Sequence, residues 1–375
     1  MKWIHQQPGW PQFHWDAAAL GNALAQVRYQ QGHLLGRMQA LGFELRQEAS
    51  LNTLTNDVVT SSAIEGDTLD REEVRSSIAR KLGLEIGGAL PASRHVEGIV
   101  EVMLDATQSC QQPLSEERLC AWHCALFPTG FSGMYPIVVG AWRPLSAGPM
   151  QVVSGAYGRE RVHFEAPEAN RLPAEMAAFL QWFGEDDGID PVLKAGLAHF
   201  WFVTLHPFED GNGRIARAIA DMALTRADAS PQRFYSMSAQ IEAERKAYYN
   251  QLERQQRGSL DVTPWLGWFL ECLGRALGSA ETALESVLHK ARVWGCANRY
   301  RINERQRLVL NRMLDDFQGY MNNAKYATIA KCSGDTALRD IRSLLEWGLF
   351  IQNAGGGRST SYRLAMAKEL GEETR

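Results

Sequence analysis

The strongest constraint on this chain is an apolar run that ends in a glycine-rich turn. Residues 193–205 (LKAGLAHFWFVTL) lead directly into 206–217, His-Pro-Phe-Glu-Asp-Gly-Asn-Gly-Arg-Ile-Ala-Arg. Ile215, Ile219, Met222 and Leu224 then restore a helical apolar pattern. The chain must turn from one helix into another across a His, an acidic pair and two glycines bracketing an Asn. Glycines admit backbone conformations closed to other residues. Free N–H groups at the start of the second helix point into that turn, and that end of a helix favours anions. Arg214 and Arg217, three residues apart, share one face of the first turn. A histidine, a carboxylate, an amide nest and two guanidiniums so close together describe a site that handles phosphate.

Each part alone is ordinary turn chemistry, but the combination is not. No Gly-Lys-Ser/Thr closes the turn, so it is not a Walker A loop. The segment resembles, position for position, the signature HxFx(D/E)GNGRxxR of the Fic family, through His206, Phe208, Asp210, Gly211, Asn212, Gly213, Arg214 and Arg217. That resemblance implies transfer of AMP from ATP to a Ser, Thr or Tyr hydroxyl of a target protein or of the chain itself. It also implies a mainly α fold, a Fic-type helical core with a β-hairpin flap. His206 would be the base that takes the hydroxyl proton, which suits an imidazole at neutral pH. Asp210 would hold Mg2+, with Mn2+ as an alternative, at the α- and β-phosphates. Gly211, Asn212 and Gly213 would offer ATP backbone N–H groups and an amide, and Arg214 and Arg217 would offer cations. Phe208 pointing into the core would hold the loop, and Glu209, at a variable position, reads as solvated.

Three further segments extend the resemblance. Residues 48–82 read as helix, turn, helix, with Leu51, Leu54, Val58 and Ile64 on the first helix and Glu65-Gly66-Asp67 ending it. Ser61, Glu65 and Gly66 fit the family's inhibitory-helix pattern (S/T)xxxE(G/N). This implies a Glu65–Arg217 pair that occupies the cation meant for the γ-phosphate. Residues 150–165 are two β-rich arms around a turn-rich centre (AYGRE). The resemblance makes them a flap that holds an extended target segment by strand addition. Tyr248 and Gln256 resemble the family's tyrosine and amide beside the adenine and ribose, although an aromatic at helical spacing equally reads as core.

The rest of the chain frames these segments. Trp3, Trp10, Phe13 and Trp15 form an arm that either staples onto the body or meets a partner, ahead of a helix over about 17–41. A glycine-rich loop (83–92), helices at 94–109 and 115–127, and an irregular stretch at 128–149 with a short strand over 138–143 follow. Helices are expected at 172–183, 191–205 and 265–294. Residues 299–375 read as a separate module: a helix at 303–314, a helix-turn-helix over 324–345, and strands at 348–351 and 361–364 around a glycine-rich tip, a winged-helix outline. Between 299 and 365 eleven Lys/Arg face six Asp/Glu, which leaves DNA, another protein or a second copy as its partner. The expected division is 1–47, 48–295 and 299–375.

Charge and cysteines narrow the classes. Net charge is −4 and pI about 6.2, so no global basic field advertises nucleic acid. The N-terminus lacks the apolar stretch of a secretory signal, and the longest apolar run is too short to span a bilayer. The six cysteines have no paired CxxC spacing; Cys120 and Cys124 flank His123 without a second ligand pair and read as packing. A reduced, cytoplasmic protein without a membrane partner is expected. Two rival functions stand beside AMP transfer. One is removal of AMP from a modified target, with Glu65 positioning water. The other is a DNA-binding regulator with a nucleotide-sensing Fic portion.

Overall fold

The computed structural model describes residues 2–84, 90–155, 159, 161–314, 317, 319–354, 360–366 and 368–370. It divides into two compact units, Met1–Ala280 and Glu281–Arg375. The first unit is built from α1 (Ala17–Gln39), α2 (Phe43–Ile64), α3 (Arg71–Lys81), α4 (Arg94–Gln108) and α5 (Glu116–Leu126), then α6 (Leu172–Gly184), α7 (Pro191–Leu205) and α8 (Asn212–Ala227). It continues through α9 (Met237–Ala243), α10 (Arg245–Gln256) and the first part of α11 (Thr263–Ala297). Two small antiparallel ladders lie between α5 and α6: β1 (Phe131–Ser132) with β2 (Tyr135–Pro136), and β3 (Gln151–Ser154) with β4 (Arg161–Glu165). The architecture is mainly α, and no helix is long and apolar enough to cross a membrane among the described residues.

Helix starts follow capping chemistry. Asp16, Asp70, Ser93, Ser115 and Asp190 each accept backbone N–H groups of the first turn, which satisfies donors the helix cannot pair internally. α7 is buried on nearly all sides, so its apolar run forms the centre of the unit. α8 packs along it, burying Ile215, Ile219, Met222 and Leu224. From α11, Trp265 donates its indole N–H to Gly196 O of α7 at 2.8 Å. α2 packs on α8 as well as on α3, α4 and α9, and this brings its C-terminal end to the start of α8.

The N-terminal arm is stapled down. Trp3 packs edge-on against Phe164, His5 Nε2 meets Glu165 O at 2.9 Å, and Trp10 Nε1 donates to Glu175 at 2.8 Å. Phe13 closes the seam against Phe200 and Trp201. The arm's aromatics thus serve the body of the chain.

Some details depart from expectation. α2 begins at Phe43 and runs through position 47, where a domain boundary was expected. No strand forms over 138–143; the backbone there bonds elsewhere, Val138 N–H to Glu209 and Arg143 N–H to Pro207 O. α9 is an additional short helix, capped by Ser236. Residues 156–158 and 160 of the hairpin centre, 85–89 of the glycine-rich loop and the tip at 355–359 lie outside the described residues.

The second unit holds the last part of α11, α12 (Glu304–Leu314), α13 (Asn323–Ala330), α14 (Gly334–Glu346), β5 (Phe350–Gln352) and β6 (Tyr362–Leu364). Its core gathers Val309, Leu310, Tyr326, Ile341, Leu344 and Phe350. Buried Asp340 is satisfied by Arg305 at 2.9 Å and Asn303 at 3.0 Å.

Candidate active site

The turn between α7 and α8 opens on a cleft of about 610 Å³. His206, Glu209, Asp210, Gly211, Asn212 and Gly213 line its floor, and Glu65 reaches it from the end of α2. Gln151 to Ser154 and His163 of the hairpin form one wall. Tyr248, Tyr249, Glu253 and Gln256 of α10 form another. Most of the sequence-selected residues therefore converge on this cleft, from segments about 190 positions apart in the chain, whereas Ser61, Arg214 and Arg217 are buried and Gly66 is not among its lining residues.

His206 ends α7 in the left-handed conformation, φ 49 and ψ 56, which few non-glycine residues adopt. Its Nδ1 lies 3.2 Å from Val203 O. A carbonyl only accepts, so Nδ1 carries the proton and Nε2 is the acceptor nitrogen. Burial holds the imidazole below its ordinary value and Arg143 acts in the same direction, against Val203 O, Glu65 and Asp210. The ring is therefore neutral near pH 7, with a lone pair to take a proton.

The motif loop is rigid for identifiable reasons. Phe208 is fully buried, stacked on His123 with ring centroids 4.1 Å apart and packed against Trp142. His123 accepts from Gly140 N–H at 3.1 Å, and burial pushes its imidazole down to about 4. Asn212 uses its carboxamide within the loop: Oδ1 accepts from Phe208 N–H and Nδ2 donates to Phe208 O, both at 2.9 Å. That amide was expected to face ATP; both of its ends bond the loop backbone at Phe208. Glu209, expected to be solvated, accepts from Val138 N–H at 2.5 Å.

Gly211 precedes α8 with φ 78, and no side chain caps the helix. The first-turn N–H groups of α8 thus face the cleft region with the positive end of the helix dipole behind them. Gly213 matters for its missing side chain: a Cβ there would stand 2.2 Å from Glu65 Oε1. The Glu65 carboxylate thus lies over the start of α8 and pairs with Arg217 Nη2 at 2.8 Å. Arg217 also donates from Nε to Ser61 Oγ at 2.9 Å and from Nη2 to Ser61 O at 2.8 Å. Burial pulls this guanidinium down, but Glu65, Tyr248 and Tyr249 together carry it above its ordinary value. Arg217 is 2% exposed at its side chain and Glu65 33%, so the acid is the solvent-facing partner of the pair. Gly66 follows with φ 89 and lets the chain leave α2 at once. Arg214 is buried over the Phe127 ring at 5.0 Å.

Asp210 accepts from Ser132 Oγ and, at 2.6 Å, from Gly211 N–H. No three His, Cys, Asp or Glu converge among the described residues. One cleft-lining carboxylate fits a Mg2+ that takes most of its ligands from phosphate oxygens and water.

On α10, Tyr248 is 1% exposed and its hydroxyl meets His199 Nε2 at 2.9 Å, while Gln256 donates to Thr204 Oγ1 at 3.3 Å. Both stand at the back of the cleft with their polar atoms partnered inward. Tyr249 is the more exposed aromatic, and its hydroxyl reaches Ile64 O at 3.3 Å and Glu65 at 3.5 Å. The sequence reading passed over Tyr249, Arg143, Ser132 and the clip on the hairpin. In that clip Glu253 takes His163 Nδ1 at 2.6 Å and Arg161 at 2.8 Å, and Arg257 donates to Val162 O at 2.7 Å.

This geometry agrees with what the chain resembles. Residues 113–224 match the Fic/DOC family, and residues 3–84 match a domain of unknown function (DUF4172). Protein adenylyltransferase fic-1 of Caenorhabditis elegans is 25% identical over 233 residues, 60% of this chain and 42% of that protein. Protein adenylyltransferase Fic of Nematostella vectensis is 25% identical over 236 residues, 61% of this chain and 50% of that protein. The chain spans about half the length of the curated relatives it matches. The crystal structure of a Fic family protein from Desulfovibrio desulfuricans G20 shares the fold, with a TM-score of 0.51 at 22% identity over 96% of this chain and 99% of that one. The His206–Arg217 turn lies inside the segment, residues 113–224, that matches the Fic/DOC family, and the fold around it is the one seen in a solved Fic family protein.

Proposed function

We propose that this chain transfers AMP from ATP to a side-chain hydroxyl of a protein and that Glu65 restrains the reaction. The observation that carries the reading is one cleft lined by a neutral histidine with Nε2 as acceptor, an uncapped helix start and a carboxylate, Glu65, that pairs with the buried Arg217 guanidinium. The hydroxyl oxygen attacks the α-phosphorus while its proton passes to His206 Nε2. The bond from the α-phosphorus to the bridging oxygen breaks, and pyrophosphate leaves with the electron pair. Backbone N–H groups at Asn212 and Gly213 and the cations of Arg214 and Arg217 meet the charge that develops, while the Gly211 N–H is held by Asp210. Mg2+ or Mn2+ at Asp210 supplies further neutralisation of phosphate charge when bound. Tyr248 and Gln256 bound the space for adenine and ribose.

β3 is the open edge of the hairpin, because β4 is held by Glu253 and Arg257. Gln151, Val153 and Ser154 are exposed there. An extended target segment adds along that edge, gripped by main-chain bonds with loose choice of side chains.

The Glu65–Arg217 pair supports autoinhibition: the carboxylate takes the cation and the helix start that the γ-phosphate would use. A partly exposed carboxylate at the cleft also favours a second reading, removal of AMP with Glu65 positioning the attacking water. Residues 299–375, read as a winged helix, are the candidate contact for DNA or for a second copy of the chain.

The test compares α-labelled with γ-labelled ATP in the Glu65→Gly variant, with and without His206→Ala, in a cell extract with Mg2+. Protein label from the α position only, lost with His206→Ala, supports AMP transfer. Label from the γ position, or label that survives His206→Ala, overturns it.

A further inference from the structure

Arg143 lies in the irregular stretch between β2 and β3, yet it is 2% exposed. Its donors reach two separate parts of the unit. Nε donates to His206 O at 2.8 Å, its own N–H donates to Pro207 O at 2.8 Å, and Nη2 donates to Pro167 O. Burial drives the guanidinium down to about 10, with no carboxylate among the described residues to hold it up. A buried cation without a counter-charge is a costly way to fasten a loop, and an apolar side chain would fill the space more cheaply.

What it fastens explains the cost. His206 is in a conformation that other L residues avoid, and that conformation lays its Nδ1 on Val203 O. Pro167 stands two residues beyond β4, at the foot of the hairpin. The Glu253 and Arg257 contacts fix the hairpin to α10 but do not reach His206. Arg143 alone among the described hydrogen bonds spans from the His206–Pro207 backbone to the hairpin foot.

We propose that Arg143 is a positioning residue that holds His206 in its left-handed conformation and sets the imidazole against the foot of the β3–β4 hairpin. A hydroxyl carried on the hairpin edge then arrives at Nε2 in register. The consequence for rate rests on the AMP-transfer reading; the positioning itself does not.

The test uses the full chain carrying Glu65→Gly, alone and with Arg143→Gln or Arg143→Lys, each checked for folding by circular dichroism. Nitrogen-15 shifts of the His206 ring report the tautomer, calorimetry with a non-hydrolysable ATP analogue reports nucleotide affinity, and α-labelled ATP reports transfer. The parent shows the Nδ1–H tautomer. Arg143→Gln loses that single tautomer and transfers AMP more slowly, on the order of 10²-fold as expected for a misplaced reacting group. KM for ATP stays within about twofold, the signature of a lost transition-state arrangement. Arg143→Lys, which keeps the charge and one bond, recovers part of both. An unchanged tautomer in folded Arg143→Gln overturns the proposal, as does a loss of nucleotide affinity equal to the loss of rate. Should the parent transfer no AMP, the ring shifts still decide the role of Arg143, and only the transfer reading falls.

Discussion

Arg217 makes two bonds to Ser61, from Nε to the hydroxyl at 2.9 Å and from Nη2 to the carbonyl at 2.8 Å. α8 is thereby held against α2 from inside, and the Glu65 carboxylate closes over the outside of the same guanidinium. Under the proposed function, stability and restraint share one cation.

Changes on the two sides of this contact should separate. Ser61→Ala removes a buried bond to a charged group and should cost about 1.5–3 kcal/mol while raising basal transfer, because α2 loosens from Arg217. Arg217→Met should cost stability and abolish transfer together. Urea unfolding and initial rates on the same samples check both. A Ser61→Ala variant that is slower than wild type would contradict the account.

The Asn212 carboxamide is a structural clamp, so its removal should appear as lost stability. Asn212→Ala leaves the buried N–H and carbonyl of Phe208 without partners and should cost about 2–6 kcal/mol, counting roughly 1–3 for each group. Asn212→Asp keeps the acceptor for Phe208 N–H and should cost less in acid, where the new carboxyl is protonated and can still donate to Phe208 O. Denaturation at two pH values measures the difference.

A buried acidic pair should give the fold a pH dependence. Asp57 of α2 and Asp221 of α8 are both buried beside one cation, Arg233, which pairs with Asp221 at 2.8 Å. Asp57 accepts from Ser236 Oγ, and Oδ2 of each carboxyl has no hydrogen-bond partner. Burial, then the Asp221 charge, raise Asp57 well above the carboxylate range, against Arg233, Ser236 and Ser238. Between the ordinary value of about 3.9 and the raised one, the folded chain keeps a proton that the unfolded chain has released. The folded state binds more protons there, so stability falls as pH rises through that window. Asp57→Asn mimics the protonated form and should flatten the decline. Thermal unfolding across about pH 5 to 8 checks it; an equally steep decline in the variant would show that another group is responsible.

The sequence was most legible where one local pattern implied one structure. The apolar run into His206 and the capped helix starts sit where periodicity puts them, and the motif residues meet because one turn carries them. The meeting of Glu65 with Arg217 came from family resemblance, since nothing local in Ser61 to Gly66 points to a partner some 150 positions away. What stayed hidden depended on tertiary neighbours. Arg143 lies in a stretch without periodicity, and its role appears only when His206 O and Pro167 O come within reach of one side chain. Val138 pairs with Glu209 instead of a strand because the motif loop passes beside it. Tyr248 and Tyr249 are adjacent in sequence, and only packing on Trp265 and Trp268 assigns the first to the core and the second to the cleft rim.

The central claim is that this cleft moves AMP and that Glu65 restrains it. The most direct measurement is the initial rate of AMP incorporation from α-labelled ATP by wild type and Glu65→Gly at equal ATP and Mg2+. The account predicts a rate for Glu65→Gly at least about tenfold higher, roughly 1.4 kcal/mol of released restraint, with overall stability lowered only modestly because Glu65 is partly exposed. Equal rates in two folded, nucleotide-binding proteins would contradict it.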